Sequence, residues 1–336
     1  MTLQGVGKTE SSRKLLILVA AFAAVYVVWG STYLAIKYAI ETLPPFLMAG
    51  SRFLIAGSIL FLWARLSKDY ERPTRAHWRT SFIVGTLLLL GGNGFVVLAQ
   101  HFIPSSLAAL LVATEPLWIV VLSWLWLKNG RPNWKVALGL LLGFAGVWML
   151  ISGRPTAAAS ATEGHGQWIG IVAVICATFS WAAGSIYGLR GSVPKSSLLT
   201  AGMQMIAGSV GLLLVGSIRG EWATLNPSAV SSNSLFGLGY LIVFGSLVGF
   251  TAYSWLLKNA RPSMVATYAY VNPVIAVVLG WLIASESMTG QMLIGAGIVV
   301  GSVMLITSQN SEVSEAEVEE IHESTRPCNE ALSASA

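Results

Sequence analysis

One carboxylic acid sits where a chain of this kind can least easily carry it. Glu115 lies inside an apolar run over 105–127, about ten residues from one end of the run and thirteen before Lys128. At a rise of about 1.5 Å per residue, that places it near the middle of a hydrocarbon layer of about 30 Å. A charged carboxylate at that depth costs about 2.5–3.5 kcal/mol on insertion scales. It must therefore face a wet cavity, carry a proton, or pair with a neighbour. A wet, protonatable acid could couple transport to a proton gradient or recognise a cationic group. A paired acid would only hold helices together.

Other residues could share that chemistry. Asn272 occupies the position equivalent to Glu115 in the second half of the chain, and Tyr268 lies one helical turn away on the same face. Asn donates and accepts, and Tyr offers a ring and a hydroxyl. Trp29 and Tyr33 are spaced i, i+4, as are Asn93 and Val97, and Trp118 follows Glu115 by three residues. Trp181, Tyr187 and Tyr253 fall toward one end of their runs. An aromatic box around a carboxylate suits amines and aromatic zwitterions; the same stripe also serves plain packing. Lys37 and Arg52 lie near helix ends, where long side chains snorkel to the interface. Either could instead meet a substrate carboxylate or pair with Glu41, but a fold-orienting role is expected of both.

Catalytic and metal chemistry finds little material. Asp69 is the only Asp, so there is no carboxylate dyad or magnesium–phosphate set, and His77, His101, His165 and His322 are scattered. Cys176 and Cys328 form neither a disulfide framework nor zinc spacing. Gly5-Val6-Gly7-Lys8-Thr9 imitates the end of a phosphate-binding loop, but Thr2 stands where the motif needs Gly and no strand precedes it. The expectation is no enzyme, no cofactor and no metal.

The elements that carry these residues are membrane helices. The chain of 336 residues is 54% hydrophobic and 10% charged, too few polar groups to cover a water-soluble fold. Ten apolar runs are expected, at roughly 15–36, 46–66, 81–102, 105–127, 134–152, 168–188, 197–218, 235–257, 263–284 and 289–307. Ala21-Phe22-Ala23 imitates a cleavage site, but the first run is too long for a signal peptide and continues past it. A net charge of +5 does not point to nucleic acid, because the basic residues sit in short loops. Sixteen Lys and Arg fall on the N-terminal side of the membrane; Arg154 and Arg219 fall on the other. That bias puts both termini in the cytoplasm. Trp63, Trp78, Trp126 and Trp134 form one aromatic belt, and Trp148, Trp168 and Trp281 the other.

The chain also repeats itself at a shift of about 157 residues. Ser106 falls on Ser263, Pro116 on Pro273, and Trp124-Leu125 on Trp281-Leu282. Five helices per repeat turn the second copy upside down, an arrangement that supports exchange between inward- and outward-open states. Pro116 and Pro273 are the two prolines deep inside apolar runs, and they either bend the helices at a central cavity or serve packing. The expected organisation is a cytoplasmic tail at 1–14, repeats at 15–152 and 168–307, a periplasmic linker at 153–167, and a disordered acidic tail at 308–336. Gly139/Gly143 and Gly297/Gly301 could pack within or between chains, so the oligomeric state stays open.

Trp29-Gly30-Ser31-Thr32-Tyr33, Lys37, Pro44-Pro45 and Arg52 resemble the opening of the EamA family in the drug/metabolite transporter superfamily. Gly92-Asn93-Gly94, Trp181, Gly184-Ser185, Tyr187-Gly188 and Tyr268-Ala269-Tyr270-Val271-Asn272-Pro273-Val274 resemble its YedA-like branch. The resemblance covers about residues 15–307. It implies an all-α fold of ten transmembrane helices in two inverted repeats, in a bacterial inner membrane. It implies a cavity lined mainly by helices 1, 3, 4, 6, 8 and 9. It further implies export of amino acids, metabolites or drugs, often coupled to protons. A passive facilitator or channel is the alternative. Two positions depart from the pattern. Glu115 stands where the family is usually neutral, and Asn129 stands where an acid is common, whereas its counterpart Glu286 keeps the acid.

Overall fold

The computed structural model describes residues 4–68, 70–127, 134–152, 161–260, 268–286, 288–302 and 304–305. The expected acidic tail and Asn129 lie outside them. Ten apolar helices follow one another, and no strand occurs among the described residues. They are α1 (Gln4–Ala39), α2 (Pro45–Leu66), α3 (Arg75–Ala99), α4 (Ser105–Trp126) and α5 (Trp134–Ser152). The second five are α6 (Ala161–Arg190), α7 (Ser197–Ile218), α8 (Ser232–Tyr253, continuing to Asn259), α9 (Tyr268–Ala284) and α10 (Gly290–Ser302). Helices α1 and α6 begin earlier than the apolar runs, inside the expected tail and linker.

The packing crosses between the repeats. Helix α1 lies against α8 and α9, while α6 lies against α3 and α4. Helix α2 lies against α7. Lipid tails are as apolar as leucine, so burial alone does not join these helices; close backbone approach does. A Cβ on Gly57 would stand 2.7 Å from Met205 Cβ, and one on Gly202 would stand 2.8 Å from Phe61 N, so both positions need glycine. Around this contact Phe53, Leu60, Met205 and Leu212 are fully buried. The outward face carries exposed Leu, Phe and Trp, including all seven belt tryptophans, as a lipid-facing surface requires.

Two long π-helical segments interrupt this regularity, Thr86–Gly94 in α3 and Leu241–Val248 in α8. They fall at equivalent places in the repeats. A backbone carbonyl in each accepts a side chain from the helix opposite. Ser180 Oγ donates to the Leu87 carbonyl at 2.8 Å, and Trp29 Nε1 donates to the Gly245 carbonyl at 3.2 Å. Such segments are rare and often mark functional sites.

The prolines differ in setting. Helix α4 breaks after Val112 and restarts at Glu115, so Pro116 stands in the first turn of the new segment. A missing N–H costs nothing there. Pro273 lies inside the continuous α9.

Carboxylates fasten the loops to helix starts. Glu221 accepts from Leu47 N at 2.9 Å and from Phe46 N, capping α2. At the other end of the bundle Glu71 accepts from Lys195 N at 2.9 Å, just before α7.

Candidate functional site

A cavity opens between α1, α2, α3, α4, α6, α8 and α9. Seven of the ten residues singled out from sequence line it: Trp29, Tyr33, Asn93, Glu115, Trp181, Tyr268 and Asn272. Their positions follow from the helix breaks and the glycine seats. Glu115 opens the second segment of α4 and is 6% exposed. Tyr268 Oη donates to its Oε2 in a long contact of 3.5 Å. Glu115 makes no ion pair among the described residues.

Glycines let the two indoles reach the cavity. A Cβ on Gly92 would stand 2.6 Å from Trp181 Cε3. A Cβ on Gly249 would stand 2.8 Å from Trp29 Cδ1. Gly92 and Gly249 differ by the same 157 residues as Pro116 and Pro273, so the two seats are one feature used twice. Around Trp29 the rings of Tyr253, Phe250 and Tyr268 stand 5.0, 5.4 and 5.4 Å away. Phe250 and Tyr268 line the cavity, whereas Tyr253 packs on Trp29 without lining it.

Two expected residues face elsewhere. Trp118 packs edge-on to Phe144 at 5.8 Å and Phe179 at 5.5 Å, in the groove toward α5 and α6. Three residues on a helix turn through about 300°, so Trp118 is about 60° round from Glu115, enough to leave the cavity. Tyr187 lines a separate shallow pocket with Leu125, Trp126, Ile186 and Arg190.

The cavity also holds residues that the sequence did not single out, including Thr32, Thr178 and Phe250. The largest change concerns Arg52. Instead of snorkelling it is 3% exposed, lines the cavity, and donates from Nε to Ser246 Oγ at 2.9 Å. Arg52 Nη1, Asn93 Oδ1 and Asn272 Oδ1 are buried without a hydrogen-bond partner among the described residues. Unpaired buried polar atoms are costly, and a cavity that gathers several is suited to a polar solute.

Above the cavity, Lys37 also departs from the snorkelling expectation. Its Nζ donates to Glu286 Oε1 at 3.0 Å. The same oxygen accepts from Ser105 N and Oγ, and Oε2 accepts from Ser106 N, so the acid caps α4. Burial pushes the Glu286 carboxyl up, but the hydrogen bonds from Ser106 and Ser105 and the Lys37 ammonium outweigh it and hold it at about 2. No group of three metal-ligating side chains occurs among the described residues.

Comparison with known proteins places this geometry. The EamA-like transporter family matches residues 15–152 and again 168–308. The chain is 37% identical over 297 residues to the inner membrane transporter YedA of Escherichia coli (strain K12), covering 88% of this chain and 92% of that one. It is 28% identical to the transporter YvbV of Bacillus subtilis (strain 168), over 86% of this chain and 90% of that one. It is also 28% identical to the protein PecM of Dickeya dadantii (strain 3937), over 83% and 88%. One solved crystal structure shares the fold with a TM-score of 0.59 at 21% identity, covering 90% of this chain and 99% of that one.

Proposed function

The chain belongs to the EamA-like transporter family, a multi-pass membrane transporter of small solutes, and from that premise we propose that it is a secondary-active exporter working by alternating access and driven by protons. Its place is a bacterial inner membrane with both termini cytoplasmic, a reading supported by the sixteen-to-two charge bias. The solute binds among Trp29, Tyr33, Asn93, Trp181, Tyr268 and Asn272, and Glu115 carries the coupling proton.

The observation behind this reading is the setting of Glu115. It is a buried acid on the wall of the cavity, with one long hydrogen bond from Tyr268 and no basic partner among the described residues. An acid in that setting exchanges its proton with whatever enters the cavity. The inverted repeats supply the two states between which the loaded site changes sides.

Glu115→Gln tests the reading. Proteoliposomes are screened with amino acids, amines and carboxylates for counterflow, and the transported solute is then followed in two assays. The variant loses accumulation driven by a pH gradient and retains exchange at zero gradient, since exchange needs only reorientation of the loaded carrier. Full gradient-driven transport by the variant would move the coupling site elsewhere. Wild-type transport indifferent to pH gradients would make the protein a passive facilitator.

A further inference from the structure

Arg52 is a cation held inside the cavity, and it makes no ion pair among the described residues. Its Nε is engaged by Ser246 Oγ on the π-helical segment of α8, and its Cζ stands 4.6 Å over the Phe53 ring. Gly245 makes room for it, because a Cβ there would stand 2.9 Å from Nη2. Nη1 has no hydrogen-bond partner among the described residues. Glu115 lines the same cavity but makes no ion pair with Arg52. A buried guanidinium without a counter-ion is expensive, because its lost hydration is not made good by an opposite charge. The cost falls when an anion enters, because a charge-assisted hydrogen bond forms where none existed.

On the transport reading above, we propose that Arg52 anchors the carboxylate of the transported solute, so that the protein selects monocarboxylates, zwitterions included. One guanidinium offsets one negative charge. A dianion such as phosphate would leave a second charge unpaired in the same cavity and is excluded on that count. Trp29, Trp181 and Phe250 supply an apolar wall for the rest of the molecule.

The test uses the full chain in nanodiscs with four probes that share one benzyl group: phenylacetate, L-phenylalanine, phenylacetamide and phenethylamine. Ligand-induced thermal stabilisation is titrated. The two carboxylates act at concentrations roughly tenfold or more below those of the amide and the amine. Arg52→Lys keeps the charge but loses the planar fork and weakens the carboxylates by about tenfold. Arg52→Gln removes the preference, so that phenylacetate and phenylacetamide act at similar concentrations. Equal responses to phenylacetate and phenylacetamide in the wild type would overturn the proposal without any variant. So would an Arg52→Gln or Arg52→Lys protein that binds carboxylates like wild type. Counterflow of the same probes separates the two readings. Transport of the amine or amide but not the carboxylates would sink this inference and leave the transport reading standing, whereas loss of pH-gradient dependence in the wild type would sink the coupled reading and leave this inference standing.

Discussion

Lys37 Nζ lies 3.0 Å from Glu286 Oε1, an ion pair that ties the end of α1 to the turn between α9 and α10 across 249 residues of sequence. The two partners are unequal. Glu286 is buried and holds three further donors of α4, whereas the Lys37 side chain is 33% exposed.

Glu286→Gln should therefore destabilise more than Lys37→Met. The first sets an amide donor against the N–H groups of Ser105 and Ser106 and costs about 2 kcal/mol. The second removes a partly solvated pair and costs under about 1 kcal/mol. Thermal unfolding in detergent ranks them, and the opposite order would mean that the ion pair, not the helix cap, dominates.

The pH dependence follows from the same acid. The Glu286 carboxyl sits at about 2 in the folded chain against 4.5 ordinarily, so its contribution is complete above 4.5 and fades as pH falls toward 2. The gap in Tm between wild type and Glu286→Gln stays constant from neutral pH down to 4.5 and closes below it. A gap already closing near neutral pH would assign the effect to another group.

Gly92→Ala and Gly249→Ala each press a methyl group into an indole. Trp181 or Trp29 must give way, because real Cβ contacts are not found at these separations. The cost is about 1–3 kcal/mol as overpacking, with a shift in tryptophan emission. Unchanged emission in both variants would mean that the helices, rather than the rings, move aside.

The two prolines should separate in their effects. Pro273→Ala restores a backbone donor inside α9 and stiffens it, so turnover slows while thermal stability holds or rises. Pro116→Ala acts at a helix start, where the donor was not needed, and changes turnover less. Turnover assays in proteoliposomes decide, and equal slowing by both would show that the break before Glu115 depends on the proline ring.

Orientation has a direct assay. Reporter fusions after residues 160 and 225 report the periplasm, and fusions near residues 70, 130, 192 and 320 the cytoplasm. A cytoplasmic reading at 160 would break the five-plus-five arrangement.

The ten helices were legible because each is a long apolar run, and Glu115 because an acid in mid-run has few places to go. Arg52 was not. Distance from a helix end gives depth but not azimuth, and five residues from the end reads as snorkelling whether the side chain turns outward or inward. Trp118 shows the same limit over 60°. The seat of Glu286 on Ser105 and Ser106 joins residues about 180 apart, which no local spacing reveals. The π-helical segments were hidden because their composition is as apolar as the helix around them.

Each of the two indoles rests on a glycine of the opposite repeat, Trp29 on Gly249 and Trp181 on Gly92. The protein thus contains a matched pair of optical probes, one on each internal boundary. With twelve of its thirteen tryptophans changed to phenylalanine, so that either Trp29 or Trp181 is left as the single emitter, stopped-flow fluorescence would time the two boundaries separately. Equal time constants would mean that the repeats move as one rigid rocker, and unequal ones that one boundary opens first.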